Sequence, residues 1–464
     1  MGSMSSAFDV LVIGSGPGGE KAAMQAAKLR RRVALVDRGD RLGGNCLHTA
    51  TIPSKTLRET ILYIAGVRQR SLYGIQTTLG KHVTVEDLLR RKDAVIAGQT
   101  EVLEHKLDRN EVTFVRGLAR FLDPHRVEVV EPGGARRELS ADTIVVATGS
   151  RPARDPSIPF DDETIYDSDT ILALDLLPRS LTIVGAGVIG CEYACLFALL
   201  GSRVTLVDAR PRVLDFADGE IAELLVSRMR EHHITMRLGE EVASVAVESP
   251  GRVIATMRSG KRVVGEKLLY AVGREGNTAN LDLQQAGLTP GKRGLLTVNR
   301  HFQTSVPHIY AVGDVIGFPS LAATSMHQGR LAMAHALGLG VNGEGAALPY
   351  GIFTIPEISM VGETEAQLTA ASVPYEIGQA FFREIARGEI VGDRAGMLKL
   401  LFERETHRLR GVHIIGEKAS ELVHIGQAVL AFGGPIDYFV DTVFNYPTLS
   451  EAYKVAALNG LNRL

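Results

Sequence analysis

The 464-residue chain has no tryptophan, only three cysteines, and no excess of charge of either sign. Three cysteines cannot staple a secreted scaffold, so a disulfide framework is excluded and a reducing compartment is expected. Acidic residues (53) nearly balance basic ones (51), leaving a formal net charge of -2. That is too little positive charge to draw in nucleic acid or an anionic membrane. The apolar runs are short and broken by Gly or charge, which predicts no membrane span. Val10 to Ile13, the first of them, has strand length, so no signal peptide is expected. Met1 to Met4 read as an added leader ahead of a native start, and the cytoplasm is the expected location. Apolar residues at 45% and charged residues at 22% exclude a disordered or fibrous chain. The length predicts two to four domains.

What the chain does have is glycine, 49 residues, and much of it falls in a repeated pattern. An apolar strand over 7–14 leads into Gly14-Ser-Gly16-Pro-Gly-Gly19, an Ala-rich helix over 20–29 and a second strand ending at Asp37. The same order returns as a strand over 180–184, Gly185-Ala-Gly187-Val-Ile-Gly190, a helix to Leu200 and a strand ending at Asp208. Each Asp lies 23 positions after the first Gly of its loop (14 to 37, 185 to 208). In such a loop the first Gly permits the turn, the second admits a pyrophosphate and the third lets helix and strand pack closely. The helix N-terminus offers unpaired N–H groups to the phosphates, and the acid accepts ribose hydroxyls. A lone loop of this kind could be a structural turn. Two in the same context, with the same acidic endpoint, predict two dinucleotides between which electrons pass.

A third element points to flavin as the first of them. The stretch from Thr304 to Asp314 reads as an apolar strand ending in Gly-Asp. Asp314 can bind a ribityl hydroxyl, and the following helix would aim its positive end at the flavin N1/O2 edge. In the second unit, Asp208 favours the free 2′-hydroxyl of NAD, whereas Arg203, Arg210 and Arg212 nearby suit the 2′-phosphate of NADP. The mixture suggests that both are accepted; as the alternative, these arginines form a solvated loop. The histidines (His232, His233, His327, His413, His424) show no metal-ligand spacing, and no metal is expected.

The segment from Gly43 to Lys55, GGNCLHTATIPSK, resembles the redox motif of the flavoprotein disulfide reductase family, which includes dihydrolipoamide dehydrogenase and glutathione reductase. That motif is Cys-x4-Cys followed by Pro-Ser-Lys; here Cys46 is present but Thr51 takes the second position. Cys191 and Cys195, four apart in the second unit's helix, read as buried packing residues. The family's acid-base His before Pro-Thr is replaced by Tyr446, while Glu451 remains, in the family contributed by the partner subunit. A phenol with a pKa of about 10 is a poor base toward a thiol. With Tyr310-Ala-Val-Gly-Asp314, Phe353-Thr-Ile-Pro-Glu and Phe444-Asn-Tyr-Pro-Thr448, the departures match a branch that passes hydride between NADPH and NAD without a disulfide.

The resemblance covers 8–464 and implies an α/β fold with two Rossmann-like domains and a C-terminal α+β dimerisation domain. The implied bounds are FAD-binding over 7–155 and 275–348, NAD(P)-binding over 156–274 and dimerisation over 349–464. Lys55 matches the lysine beside flavin N5 and Glu192 the carboxylate paired with it; these are the implied catalytic residues. Cofactor contacts are implied for Gly14, Gly16, Gly19, Asp37, Arg38, Gly43, Gly44, Cys46, Lys55, Thr148, Gly149, Asp314 and Ala322. On the nucleotide side they are Gly185, Gly187, Gly190, Asp208, Arg210 and Gly273. The implied activity is FAD-dependent, reversible ping-pong hydride transfer from NADPH to NAD by a homodimer at least, larger assemblies remaining open. A disulfide would drain electrons that must be returned, since about 30 mV of mismatch costs about 1.4 kcal/mol for two electrons. Two alternatives stay open: an NAD(P)H dehydrogenase reducing a quinone or other small acceptor, and a non-catalytic flavin redox sensor.

Overall fold

The computed structural model describes residues 6–39, 41–69, 85–340 and 347–464. The leader at Met1 to Met4 and part of the helix-rich stretch expected over 54–107 lie outside them. The chain is mixed α/β and divides into two compact units. The first is Met1–Arg154, Ser168–Leu176 and Gly273–Glu344; the second is Asp155–Asp167, Leu177–Val272 and Gly345–Leu464. The region expected to bind NAD(P) and the C-terminal region therefore cluster in one unit. Residues 168–176, expected in the NAD(P) region, and Gly273, expected at its end, cluster with the first unit instead. The physical reason is Arg274, which reaches Asp169 Oδ1 (3.2 Å), Ser168 Oγ (3.3 Å) and Ser150 Oγ (2.8 Å).

The first unit is built on a seven-stranded sheet. Ser6–Ile13 lies between Val33–Asp37 and Arg136–Val146, parallel to both, and Ile309–Ala311 adds a further parallel strand. Val10 to Ile13 and Val33 to Val36 are buried along their whole length, as parallel strands covered on both faces must be. The helix Pro17–Lys28 has Pro at its start, where a missing N–H costs nothing, and packs on Ala322–Ala336. A Cβ on Gly329 would stand 2.1 Å from Gly18 O, so these two helices approach at backbone distance. The strand expected over 304–314 is confined to Ile309–Ala311. Pro307 has no N–H to give a ladder, and Ile309 N turns back on Val306 O.

The second unit repeats the design. Thr235–Leu238, Arg203–Asp208, Ser180–Val184, Lys267–Tyr270 and Ile165–Tyr166 form a parallel sheet in that order. An antiparallel meander follows (Val242–Ser249, Arg252–Met257, Arg262–Gly265). The C-terminal part is a five-stranded antiparallel sheet covered by Ala419–Ala431 and Glu451–Leu461. Its core centres on fully buried Tyr453, whose hydroxyl donates to Leu422 O (2.8 Å) and accepts from Gly426 N (3.1 Å). No helix among the described residues is long and apolar enough to cross a membrane.

Candidate functional site

Gly14 sits at φ +109°, a conformation L side chains rarely adopt, and a Cβ there would lie 2.2 Å from Ala147 O. A Cβ on Gly19 would lie 1.8 Å from Gly14 O, so the third glycine lets the helix close onto the turn. Gly16 meets nothing within 4 Å, and no side chain caps the helix it precedes. The loop thus presents uncapped N–H groups to open space, which suits an anion.

Beside it opens a cleft in the first unit. Its walls include Gly14, Asp37, Arg38, Thr148, Arg151 and Asn277, with apolar area from Ile13, Val36, Leu118 and Leu281. Asp37 Oδ2 accepts from Ser15 N (2.7 Å) and Ser15 Oγ (2.6 Å), and Oδ1 from Gly39 N (2.8 Å). A carboxylate has about four acceptor positions, so one remains on Oδ1 for a ribose hydroxyl. Ser15 Oγ also accepts from Gly43 N at 3.0 Å, tying the Gly43-Gly44 turn to this loop. Thr148 Oγ1 is buried with no hydrogen-bond partner among the described residues, which fits a wall that a polar ligand completes. Asn277 holds that wall, donating Nδ2 to Thr148 O (3.0 Å) and N to Gly149 O (3.0 Å). The residues present therefore fit the adenosine diphosphate part of a dinucleotide.

Cys46 is half-buried and free. Burial pushes its thiol pKa up, and a hydrogen bond from Thr51 only partly offsets that, so the thiol stays protonated at neutral pH. Lys55, on the helix Thr51–Gln69, donates to Ser54 Oγ at 3.4 Å. Asp314 lies in a 3-10 turn, Gly313–Ile316, and not at the start of the long helix, which begins eight residues later at Ala322. Asp314 Oδ2 accepts from Ser150 Oγ (2.8 Å), which in turn accepts from Arg274 Nε. Ala322 opens a helix that no side chain caps.

In the second unit Gly185 repeats the turn at φ +111°, with a hypothetical Cβ 2.3 Å from Ala271 O, and Gly190 repeats the close approach at 1.8 Å from Gly185 O. Gly187 precedes the helix Val188–Leu199, again without a side-chain cap. The acidic endpoint differs. Asp208 Oδ2 accepts from Ala186 N (2.5 Å) and Arg210 Nη2 (2.8 Å), and Oδ1 from Arg210 N (2.7 Å) and Arg210 Nε (3.0 Å). Burial would raise its pKa, but these bonds prevail and hold it below the usual carboxylate range. Arg210 Nη1 reaches Asp215 Oδ1 at 2.9 Å. Arg203 is not near this carboxylate: it begins the strand that Asp208 ends, about 16 Å away at ~3.3 Å per residue. Glu192 is buried and its Oε1 accepts from Phe353 N at 2.8 Å. Lys55 belongs to the first unit and Glu192 to the second. Cys191 and Cys195 are fully buried thiols, as packing residues are, and Cys191 Sγ donates to Ala186 O at 3.5 Å.

The second unit also holds a charge cluster with no counterpart in the sequence reading. Lys399 is fully buried and its ammonium bridges Asp218 (2.9 Å), Glu220 (3.0 Å) and Glu365. The three carboxylates could in principle hold a metal, but a cation from the chain already lies among them. His413 is buried, with Nε2 on Glu363 O at 2.9 Å; His424 is exposed and pairs with Gln427. Tyr446 is 72% exposed, so its phenol stands in solvent in the single chain. Sequence reading missed Ser15, Asn277, Ser150 and Arg274. Only Ser15, inside the loop motif, carried a local signal; the others reach their partners across 100 residues or more.

Residues 8–329 match the family profile described as pyridine nucleotide-disulphide oxidoreductase, and residues 348–457 match the dimerisation domain of that name. The chain is 53% identical over 460 residues to the soluble pyridine nucleotide transhydrogenase of Mycobacterium tuberculosis (strain ATCC 25177 / H37Ra), covering 98% of each. It is 46% identical over 462 residues to the protein of that name from Hahella chejuensis (strain KCTC 2396), covering 98% of this chain and 99% of that one. Among solved structures it is similar to LpdA from Mycobacterium tuberculosis (TM-score 0.90, 30% identity, 97% and 99% covered). It is similar also to the HOCl-induced flavoprotein disulfide reductase RclA from Escherichia coli (TM-score 0.86, 27% identity, 97% and 99% covered).

Proposed function

The chain belongs to the pyridine nucleotide-disulphide oxidoreductase family, FAD-dependent enzymes acting on NAD(P)H, and from that premise we propose that it exchanges hydride between NADPH and NAD. The observation that carries this reading is Cys46 without a partner sulfur. Thr51 occupies the place of the second cysteine, and the other two cysteines are buried in the helix Val188–Leu199. Without that pair, and with Tyr446 where a base would stand, the chain has no machinery for a dithiol. What it retains is a pair of dinucleotide loops.

FAD, when bound, would supply a two-electron carrier able to accept hydride and give it back. The residues of this chain hold and orient. Asp37, with its one open acceptor position, takes the adenosine ribose of FAD; Thr148 and the N–H groups after Gly14 take its phosphate side. Asp314, fixed by Ser150, addresses the ribityl chain. Phe353 N–H fixes the Glu192 carboxylate, the residue that the family resemblance assigns to ordering the nicotinamide. No general acid or nucleophile is required, only positioning. NADPH and NAD use the Gly185 loop in turn, so double-reciprocal rate plots at several fixed NADPH concentrations should run parallel. Lines that intersect would mean that both nucleotides bind together and would overturn the ping-pong order.

The match to the dimerisation domain supports a homodimer. Sedimentation should give at least twice the 50.0 kDa chain mass, and a monomeric active enzyme would contradict it.

A further inference from the structure

The Gly185 turn contains a residue that is held from both sides. Ala186, fully buried, donates N to Asp208 Oδ2 (2.5 Å) and accepts at O from Leu214 N (3.2 Å). Leu214 is itself fully buried and sits at φ +45°. That left-handed conformation strains a bulky side chain and persists only where the surroundings impose it. Ala217 N closes the same bend on Leu214 O at 2.8 Å. The segment over 209–217 is therefore a bent strut behind the turn, and its strain is kept only while its far end is anchored.

The anchors come from the C-terminal region, which clusters in the same compact unit. The Phe216 ring lies 5.1 Å from that of Tyr350, on the strand Tyr350–Ile352. Asp218 is buried, and its Oδ1 accepts from Glu220 N (3.2 Å) and from Lys399 Nζ (2.9 Å). One oxygen thus both caps the helix Gly219–Glu231 and receives the lysine. Lys399, on the strand Met397–Glu403, also meets Glu220 (3.0 Å) and Glu365. Burial would lower its pKa, but the bonds to Glu365 and Asp218 prevail and raise it, so the amine stays an ammonium. Gln379 Nε2 holds Glu220 in turn, at 2.7 Å from Oε1 and 2.6 Å from Oε2. Apolar residues of equal volume often stabilise as well as a buried ion pair does. What the charge of Lys399 adds is direction: it fixes where Asp218 stands.

We propose that Lys399 is a positioning residue for hydride exchange: through Asp218 and the strained bend at Leu214 it holds the Gly185 turn in the form that binds NAD and NADP alike. This rests on the use of that turn by both nucleotides proposed above. The path is short and continuous, from Lys399 Nζ to Asp218 Oδ1, from Ala217 N to Leu214 O, and from Leu214 N to Ala186 O. Without the lysine's grip, Leu214 relaxes out of its left-handed conformation, its N–H leaves Ala186 O, and the turn loosens. Lys399 is assigned no contact with either nucleotide or with flavin. It therefore supports binding of both nucleotides equally and leaves the chemical step alone, which predicts weaker half-saturation at an unchanged limiting rate.

The test is anaerobic stopped-flow reduction of the FAD-loaded enzyme by NADPH and, separately, by NADH. Asp218→Asn keeps an oxygen for the helix cap and removes the charge that Lys399 grips. Lys399→Met removes the ammonium itself, but leaves the carboxylates of Asp218, Glu220 and Glu365 without their cation. The decision therefore rests on Asp218→Asn, with Lys399→Met read wherever it folds and keeps its FAD. Each should raise the half-saturating concentration at least about fivefold, by one factor for the two nucleotides, with the limiting rate within about twofold. A lysine that serves stability alone would lower Tm and leave half-saturation of the folded enzyme at the parent's value. That result in Asp218→Asn overturns the proposal, and so does a rise confined to NADPH or a fall in the limiting rate alone. A parent enzyme whose flavin neither nucleotide reduces would overturn the reading of the second loop, and this proposal with it.

Discussion

Asp37 and Asp208 stand at the same place in two copies of one supersecondary unit, yet their hydrogen bonds make them different ligands. Asp37 keeps one acceptor position on the wall of a cleft, whereas Asp208 keeps none until Arg210 moves. Sequence spacing located both carboxylates because the βαβ unit is local; it could not show which donors would saturate them, since Ser15, Gly39 and Arg210 choose their partners only in the folded turn. Thr51 is the other decisive residue. Replacing it with Cys re-creates the Cys-x4-Cys pair with Cys46. A disulfide takes up a second electron pair, so anaerobic titration of Thr51→Cys should consume about two equivalents of NADPH per FAD against about one for the parent. Transfer to NAD should slow as well. If the variant still takes one equivalent, and thiol titration finds Cys46 reactive and unpaired, Cys46 is not the remnant of a redox pair.

At the scale of elements, the glycine loops and their flanking strands were legible because hydrophobic runs, Gly spacing and the acidic endpoint all lie within about 30 residues. The strand expected over 304–314 was not, because a Pro and a local turn cut it to three residues. The far wall of the cleft was equally hidden: Asn277 and Leu281 meet Thr148 and Ile13 only through folding. The buried charges of the C-terminal sheet are a further case, for Lys399 and His413 sit on neighbouring strands at directly paired positions. Burial drives the His413 pKa below its ordinary value, and Lys399 adds to this while Asp218 opposes it. A histidine depressed in the folded state stabilises fully above its unfolded pKa of about 6.5 and loses that contribution as pH falls toward the folded value. His413→Gln, which cannot ionise, should therefore lose less Tm than the parent between about pH 7 and about pH 5. Identical slopes would show that His413 does not titrate in the unfolding reaction. Asp218, also depressed, acts at lower pH and leaves this window clear.

At the scale of the molecule, the chain carries two copies of one glycine-loop βαβ unit, one beside a cleft and one with an arginine-compensated endpoint, plus a domain matching a dimerisation profile. The composition, with few cysteines, many glycines and balanced charge, is consistent with the proposed exchange of hydride without a thiol store. The central claim is that hydride passes from NADPH to NAD with nothing but this holoenzyme between them. The direct measurement is anaerobic incubation of the FAD-loaded enzyme with NADPH and thio-NAD, no quinone or other acceptor present, following thio-NADH by its own absorbance. The account predicts steady formation of thio-NADH in proportion to enzyme. No thio-NADH, with NADPH oxidised only once a quinone is added, would contradict it.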